Sequence, residues 1–189
     1  EATQILLSGD FMEHFPVDIF QTGSGTSSNM NANEVIATLA TRVLGGVVNP
    51  NDHVNCGQSS NDIIPTCIHV SAALGLHERL LPALTHLVEI IERKALQVHS
   101  HVKTGRTHLM DAMPVRMSQV LNGWAQQLKA NIGHLQDLQP ALKSLAQGGT
   151  AVGTGINAHP QFAALFSQQL SALTHVQFTP DRKSTRLNS

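Results

Sequence analysis

Apolar residues recur at helical spacing in the second half of the chain, and this periodicity constrains the fold more than any other feature. Between positions 114 and 138 they step by four, three, four, four and three residues, at Met117, Leu121, Trp124, Leu128, Ile132 and Leu135. Steps of three and four place side chains on one stripe of an α-helix. The sequence therefore predicts a long helix over Pro114–Leu138 that packs along a helical-bundle seam.

A second long helical pattern precedes it. The pattern runs from Asp62, the candidate N-cap with Pro65 in the first turn, to about Val102, and Pro82 is expected to kink or divide it. Shorter helices are predicted at 33–44 and 160–174, with a turn at 49–52 between helices. The fold class is therefore mainly α, a long-helix bundle. Because helices of 25–40 residues reach roughly 38–60 Å, longer than a compact domain of this size, we expect an oligomer.

Composition narrows the classes of partner. The chain has 189 residues, with 12 Lys and Arg against 13 Asp and Glu, so it offers no basic surface for nucleic acid or an anionic membrane. No apolar run approaches the roughly 20 residues needed to cross a bilayer. Only Cys56 and Cys67 are present, so neither a disulfide framework nor a four-thiolate metal site can form, and an intracellular protein is expected. We predict no metal and no cofactor.

Three polar loops lie between the apolar segments, and each contains a glycine or follows one directly: Thr22–Asn31, Gln58–Asp62 and Lys103–Asp111. The first two lead into predicted helices, where backbone N–H groups and the helix dipole favour an anion. A dinucleotide fingerprint is excluded, because Ser28 stands where a third glycine is required. The loops could be ordinary helix caps, since Ser, Thr and Asn are the usual capping residues. Their number instead favours an anion site assembled from several helix ends.

His108 is the candidate acid/base of the third loop, because the pKa of imidazole ordinarily lies near neutral pH. Thr107 adds a hydroxyl beside it, and Arg106 adds a fixed cation. Most of the other ten histidines receive a structural or surface interpretation. His99 and His101 fall on different faces of a helix and have no carboxylate or thiol cluster to complete a metal site.

Several long motifs in a defined order carry a family resemblance. They are Phe15-Pro16-Val17-Asp18-Ile19-Phe20-Gln21-Thr22-Gly23-Ser24-Gly25-Thr26, Asn31-Ala32-Asn33-Glu34, Pro50-Asn51-Asp52-His53-Val54-Asn55, Gln58-Ser59-Ser60-Asn61-Asp62, Gly105-Arg106-Thr107-His108-Leu109-Met110-Asp111-Ala112 and Gly148-Gly149-Thr150-Ala151-Val152-Gly153-Thr154-Gly155. Over roughly residues 11–179 the chain resembles the class II, iron-independent fumarases of the fumarase/aspartase superfamily.

The resemblance implies reversible hydration of fumarate to (S)-malate by a homotetramer in the cytoplasm, with each active site built from three subunits. It implies that His108 activates or protonates the water that is added or lost. It also implies that a set of residues binds the substrate carboxylates: Ser24, Gly25, Thr26, Ser59, Ser60, Asn61 and Thr107. It also implies a secondary anion site at Asn49, Pro50, Asn51 and Asp52, where the family usually has His in place of Asn49.

Departures from the family pattern leave two alternatives open. The mobile signature Gly-Ser-Ser-x-Met-Pro-x-Lys-x-Asn, which carries the family's base, appears nowhere in the 189 residues. We expect residues 1–31 to end a shortened N-terminal domain, 32–180 to form an incomplete central helical domain, and 181–189 to be an unrelated tail. The isolated chain could then be a non-catalytic helical scaffold. An aspartate ammonia-lyase is the other alternative, although such enzymes typically have Gln at the position of His108.

Overall fold

The computed structural model describes residues 1–20 and 25–181. These fall into two compact units: unit 1 comprises Glu1–Val70 with the chain from Lys143 onward, and unit 2 comprises Ser71–Leu142. Most described residues are helical, and the prediction of a mainly α fold is confirmed.

Unit 1 is built from helices and two very short strands. Its elements are α1 (Ala2–Ser8), a 3₁₀ turn (Met12–His14), α2 (Thr26–Leu44), a π-helical turn (Pro50–Val54), α3 (Ser60–Gly75, which contains the boundary with unit 2), β3 (Ser144–Leu145), α6 (Phe162–Thr174) and β4 (Thr179–Pro180). The strands β3 and β4 pair in parallel. Leu145 and Phe178, which are almost fully buried, contribute to the apolar core of this unit.

Helix α2 begins seven residues before the predicted start at Asn33. Its first two turns are polar and read as a loop in the sequence, but Asn29 and Asn33 are buried on the inward face with Ala37. Gly25 precedes the helix in the left-handed conformation, with φ 65°, and a Cβ there would lie 2.9 Å from the Ile64 side chain. Glycine is therefore required at this position by both conformation and space.

Helix α3 begins two residues earlier than predicted, and Asp62 is not its N-cap. Ser59 is the cap, because its Oγ accepts from the Asn61 N–H at 3.2 Å. Asp62 reciprocates from the third helical position, where its Oδ1 accepts from the Ser59 N–H at 2.9 Å. This is a capping box with Asp in the place usually taken by Glu. The sequence prediction therefore took Asp62, the residue at the third helical position, for the N-cap, which is Ser59.

Unit 2 is a helical hairpin with a β-hairpin at its end. Its elements are a π-helical turn (Leu76–Leu80), α4 (Leu81–Gln97), β1 (Val102–Thr107), β2 (Met110–Arg116) and α5 (Met117–Leu142). The π turn ends two residues before Pro82, which has no N–H to donate and whose ring crowds the carbonyl four residues earlier, that of Glu78. The prediction that Pro82 divides the long helix agrees with this interruption.

Helices α4 and α5 pack as an antiparallel pair, because Glu92 pairs with Lys129 at 2.6 Å while His99 contacts Ser118 at 3.2 Å. Val88, Ala95 and Ala125 are buried between them. Of the six predicted seam residues, four in α5 are half-buried, whereas Met117 and Trp124 are 37% and 54% exposed and the neighbouring Ala125 is fully buried. Sequence spacing could not separate these two adjacent positions.

The third polar loop is not a loop, which corrects another prediction. Strands β1 and β2 form an antiparallel hairpin from Val102 to Arg116, and α5 starts at Met117 rather than at Pro114. The register shifts between Thr104 and Arg106. The bulge residue Gly105 lies so close to the opposite strand that a Cβ would meet the Met113 carbonyl oxygen at 2.6 Å. Only glycine fits there without moving the backbone.

Large apolar side chains remain on the surface of unit 2. Examples are Leu87, Leu96, Trp124 and Leu138, which are between 44% and 80% exposed. Two helices bury only a narrow stripe between them, so the remaining apolar faces lack a partner within this unit. Of the helices in residues 1–20 and 25–181, none combines the length and hydropathy that a bilayer span requires.

Candidate active site

The N-termini of α2 and α3 meet in unit 1. Thr26 is the first residue of α2 and Ser60 the first of α3, and their hydroxyl oxygens lie 3.1 Å apart. Each helix start directs the positive end of its dipole towards this point, while the capping box of α3 already accepts from the Ser59 and Asn61 N–H groups. Two hydroxyls and two helix dipoles therefore converge on one small region, an arrangement that favours a carboxylate.

Asn61 lies beside this pair and is exposed to solvent. Its Nδ2 donates to the Ala151 carbonyl oxygen at 2.8 Å, which fixes the orientation of the amide. An amide nitrogen carries two hydrogens, so one hydrogen remains to donate to a ligand. The Ser59 hydroxyl caps α3 as an acceptor, and its own hydrogen can still be donated.

A network of side-chain amides lies beneath the two helix starts. The Asn55 Oδ1 accepts from Asn33 at 3.1 Å and Asn29 at 3.5 Å, and Gln147 donates to the Gln58 Oε1 at 3.1 Å. Asn29, Asn33 and Gln147 are all less than 9% exposed. These residues hold the site in place, yet none was predicted as a site residue. Crowding of amides between 49 and 61 was visible in the sequence, whereas nothing there singled out Gln147.

His108 lies at the tip of the β-hairpin in unit 2. His108 and Leu109 form the two-residue turn with φ values of 51° and 62°, a conformation that non-glycine residues rarely adopt. Both side chains are exposed, as is Thr107 before them. The Arg106 Nε contacts the Asp111 Oδ1 at 3.2 Å across the hairpin, so Arg106 is paired with a neighbouring carboxylate.

The segment predicted as a secondary anion site caps itself. The Asn49 Oδ1 accepts from the N–H groups of Asn51 and Asp52 at 2.8 and 3.0 Å, and the Asn49 N–H donates to the His53 Nδ1 at 2.9 Å. Three backbone N–H groups of this segment, those of Asn49, Asn51 and Asp52, therefore already have acceptors within residues 49–53. The turn predicted here is a π-helical turn, Pro50–Val54.

The structure brings some of the predicted site residues together and places others in a different unit. Gly25, Thr26, Ser59, Ser60 and Asn61 are gathered at the helix starts of unit 1. Thr107 and His108 belong to unit 2. Ser24 lies outside the described residues, as does the predicted tail beyond Asp181.

No group of three or more His, Cys, Asp or Glu side chains in the described ranges is placed to hold a metal ion. Cys56 and Cys67 are free thiols. Desolvation by surrounding atoms raises the pKa of the Cys67 thiol above its ordinary value.

Comparison with known proteins places this architecture in a family. The model of a family described as lyase matches residues 1–189, and the chain belongs to this family. The relatives it resembles are class II fumarate hydratases. One from Pseudomonas aeruginosa, named fumarate hydratase class II 2, is 73% identical over 175 residues, which cover 93% of this chain and 38% of the relative. One from Xylella fastidiosa strain Temecula1 is 55% identical over 171 residues, or 90% of this chain and 36% of the relative.

The fold agrees with these sequence matches. A crystal structure of a recombinant class II fumarase from Schistosoma mansoni superposes with a TM-score of 0.89 at 36% identity, over 97% of this chain and 43% of that one. The resemblance inferred from the motifs is therefore confirmed. The chain spans less than half the length of each of these proteins.

Proposed function

We propose that this chain forms part of a fumarate hydratase that adds water reversibly to fumarate to give (S)-malate. The convergence of the α2 and α3 N-termini at the Thr26–Ser60 hydroxyl pair is the observation that supports it most strongly. Removing a proton beside a carboxylate builds negative charge on that carboxylate, and preorganised donors stabilise the charge. A dicarboxylate substrate would bind one carboxylate here, with Ser24, Gly25, Ser59 and Asn61 in the same shell.

In this proposal His108 is the acid/base that handles the water, and Thr107 joins the binding shell. Following the family resemblance, which implies active sites built from three subunits, we propose that a complete site combines the hairpin of one copy with the helix starts of another. The exposed apolar faces of α4 and α5 support assembly through a bundle, and we propose a homotetramer.

Three further proposals complete this view of the protein. We propose that the central helical domain comprises residues 32–180, with limits taken from the family resemblance. We propose that the segment Asn49–Asp52 binds anions only weakly, because the backbone N–H groups of Asn51 and Asp52 already donate to the Asn49 side chain. Two free thiols support a reducing compartment such as the cytoplasm, with no metal or cofactor required.

A chimera provides the test. The segment of the Pseudomonas aeruginosa relative that matches this chain is replaced by the corresponding 175 residues, and loss of fumarate absorbance is followed with the unaltered relative as control. We expect the chimera to hydrate fumarate and His108→Asn to lower kcat by about 10²–10⁴-fold. Near-full turnover by His108→Asn would refute the role of the histidine.

The same assay separates the alternatives. Fumarate consumption that requires ammonia and yields an amino acid would replace the hydratase proposal with an ammonia-lyase. The isolated 189-residue chain is expected to be inactive, because it lacks the signature that carries the family's base. Hydration above background by that chain would overturn this expectation.

A further inference from the structure

The Asp62 carboxyl group is buried, and no side-chain cation pairs with it within the described residues. Its side chain is 1% exposed, and the ion pairs found in those ranges do not include it. Three backbone N–H groups donate to it instead: Ser59 to Oδ1 at 2.9 Å, and Gly148 and Thr150 to Oδ2 at 3.1 and 2.8 Å. Hydrogen bonds to a carboxylate are among the strong ones in proteins.

These bonds join two segments that are far apart in sequence. One carboxylate oxygen completes the capping box of α3, and the other holds the start of the glycine-rich loop, residues 148–155. Thr150 has φ 59° and is 7% exposed, so the loop holds a non-glycine residue in the left-handed region at the point where Asp62 binds it. Such a conformation persists only where the surrounding structure fixes it.

The held loop in turn fixes Asn61. Ala151 follows Thr150 directly, and its carbonyl oxygen accepts from the Asn61 Nδ2 at 2.8 Å. A carbonyl can only accept, so this contact sets which edge of the amide faces the loop and which faces solvent. Asp62 therefore has two routes to Asn61: through the backbone of α3 and through the loop.

We propose that Asp62 is a positioning residue for the dicarboxylate reaction, which holds the glycine-rich loop on the start of α3 and thereby presents the Asn61 amide to the substrate carboxylate. This inference rests on the proposed function. Asp62 itself is buried and does not touch substrate.

The test uses Asp62→Asn in the chimera. The substitution keeps the shape of the side chain but replaces one acceptor oxygen with an NH₂ group, so one of the two segments loses its bond and faces a donor. We expect the KM for fumarate to rise about tenfold while kcat changes less than about threefold, because the His108 hairpin is unaltered. A role in stability alone would lower the amount of folded enzyme without moving KM.

A double-mutant cycle tests the route through Asn61. In an Asn61→Ala background, adding Asp62→Asn is expected to change KM by less than about twofold, because the amide that it positions is gone. Phe178→Leu is the control for lost stability, since Phe178 is 2% exposed in the core of unit 1 and its backbone N–H donates to the Ser171 hydroxyl. It should lower stability and leave KM unchanged in both backgrounds.

The outcomes distinguish this inference from the function it rests on. A chimera that hydrates fumarate with the same KM in Asp62→Asn, or with fully additive effects of the two substitutions, overturns the positioning role and leaves the hydratase proposal intact. A chimera without any fumarate turnover, beside an active unaltered relative, counts against the function.

Hydrogen exchange on the unsubstituted chimera keeps the inference testable if Asp62→Asn does not assemble. The Gly148 and Thr150 amides should exchange much more slowly than amides of a solvated loop. Exchange at the rate of a free loop would show that Asp62 does not hold them.

Discussion

The hairpin turn that carries His108 should be strained by its own residues. His108 and Leu109 both have positive φ, whereas two-residue hairpin turns of this kind favour Asn-Gly. A non-glycine residue in the left-handed region costs roughly 1–2 kcal/mol. Leu109 is 96% exposed, so replacing it loses no packing within the chain. Strained backbone is common at functional sites, and the proposed role of His108 as acid/base would explain why a histidine is found at this turn.

Leu109→Gly should therefore stabilise the hairpin. Relief of about 1–2 kcal/mol is partly offset by the greater freedom of glycine in the unfolded chain, which costs about 0.4–1 kcal/mol. We expect a net gain of about 0.5–1 kcal/mol in the free energy of unfolding. Trp124 is the only tryptophan and lies in unit 2, so its fluorescence during urea titration of the chain reports on the correct unit.

Leu109→Ala is the control, because alanine removes the same side chain but keeps the cost of the left-handed conformation. It should leave the free energy of unfolding nearly unchanged. Equal stabilisation by Ala and Gly, or a loss on substitution by Gly, would refute the strain argument.

The remaining predictions concern other local features. Gly105→Ala should destabilise unit 2 by about 1–3 kcal/mol in the same fluorescence assay, since its Cβ would meet the Met113 carbonyl oxygen; an unchanged midpoint would contradict the bulge geometry. Asn49→Ala should cost about 1 kcal/mol through loss of a cap that accepts two N–H groups, measured by urea unfolding followed by circular dichroism. Cys67, studied alone in a Cys56→Ser variant, should need a higher pH than an ordinary thiol before it alkylates rapidly, because desolvation raises its pKa; a rate that rises with pH as it does for an ordinary thiol, or earlier, would contradict this.

The helices were predictable because their apolar periodicity extends over many turns. Spacing alone predicts the seam of α5, whereas the choice between Trp124 and Ala125 depends on which residue faces α4. The β-hairpin was missed for the opposite reason. Both of its strands are exposed on nearly every residue, so they carry no alternation of apolar and polar side chains to read.

The candidate site was indicated by motifs rather than by local chemistry, and its residues stay a prediction. The hydroxyl and amide residues at 26, 59, 60 and 61 resemble ordinary helix caps, and Ser59 does act as one. The residues that position these side chains could not be predicted, because they contact segments that are distant in the sequence. Asp62 accepts from the N–H of Thr150, which lies 88 residues later in the sequence, and no local sequence pattern predicts such a contact.

We propose that a complete site joins the His108 hairpin of one subunit to the Asn61 helix start of another. Complementation between two impaired chimeras, His108→Asn with a lowered kcat and Asn61→Ala with a raised KM, tests it most directly at a fumarate concentration below the KM of either variant. Each variant is assayed alone for fumarate hydration, and the two are then dissociated, mixed and reassembled.

Random assembly of equal amounts should restore about a quarter of the unsubstituted activity, because about one site in four receives both intact residues from different subunits. The unsubstituted chimera, carried through the same dissociation, provides the reference. Activity that stays at the level of the separate variants, while mixed tetramers are demonstrated by mass, would contradict a site shared between subunits.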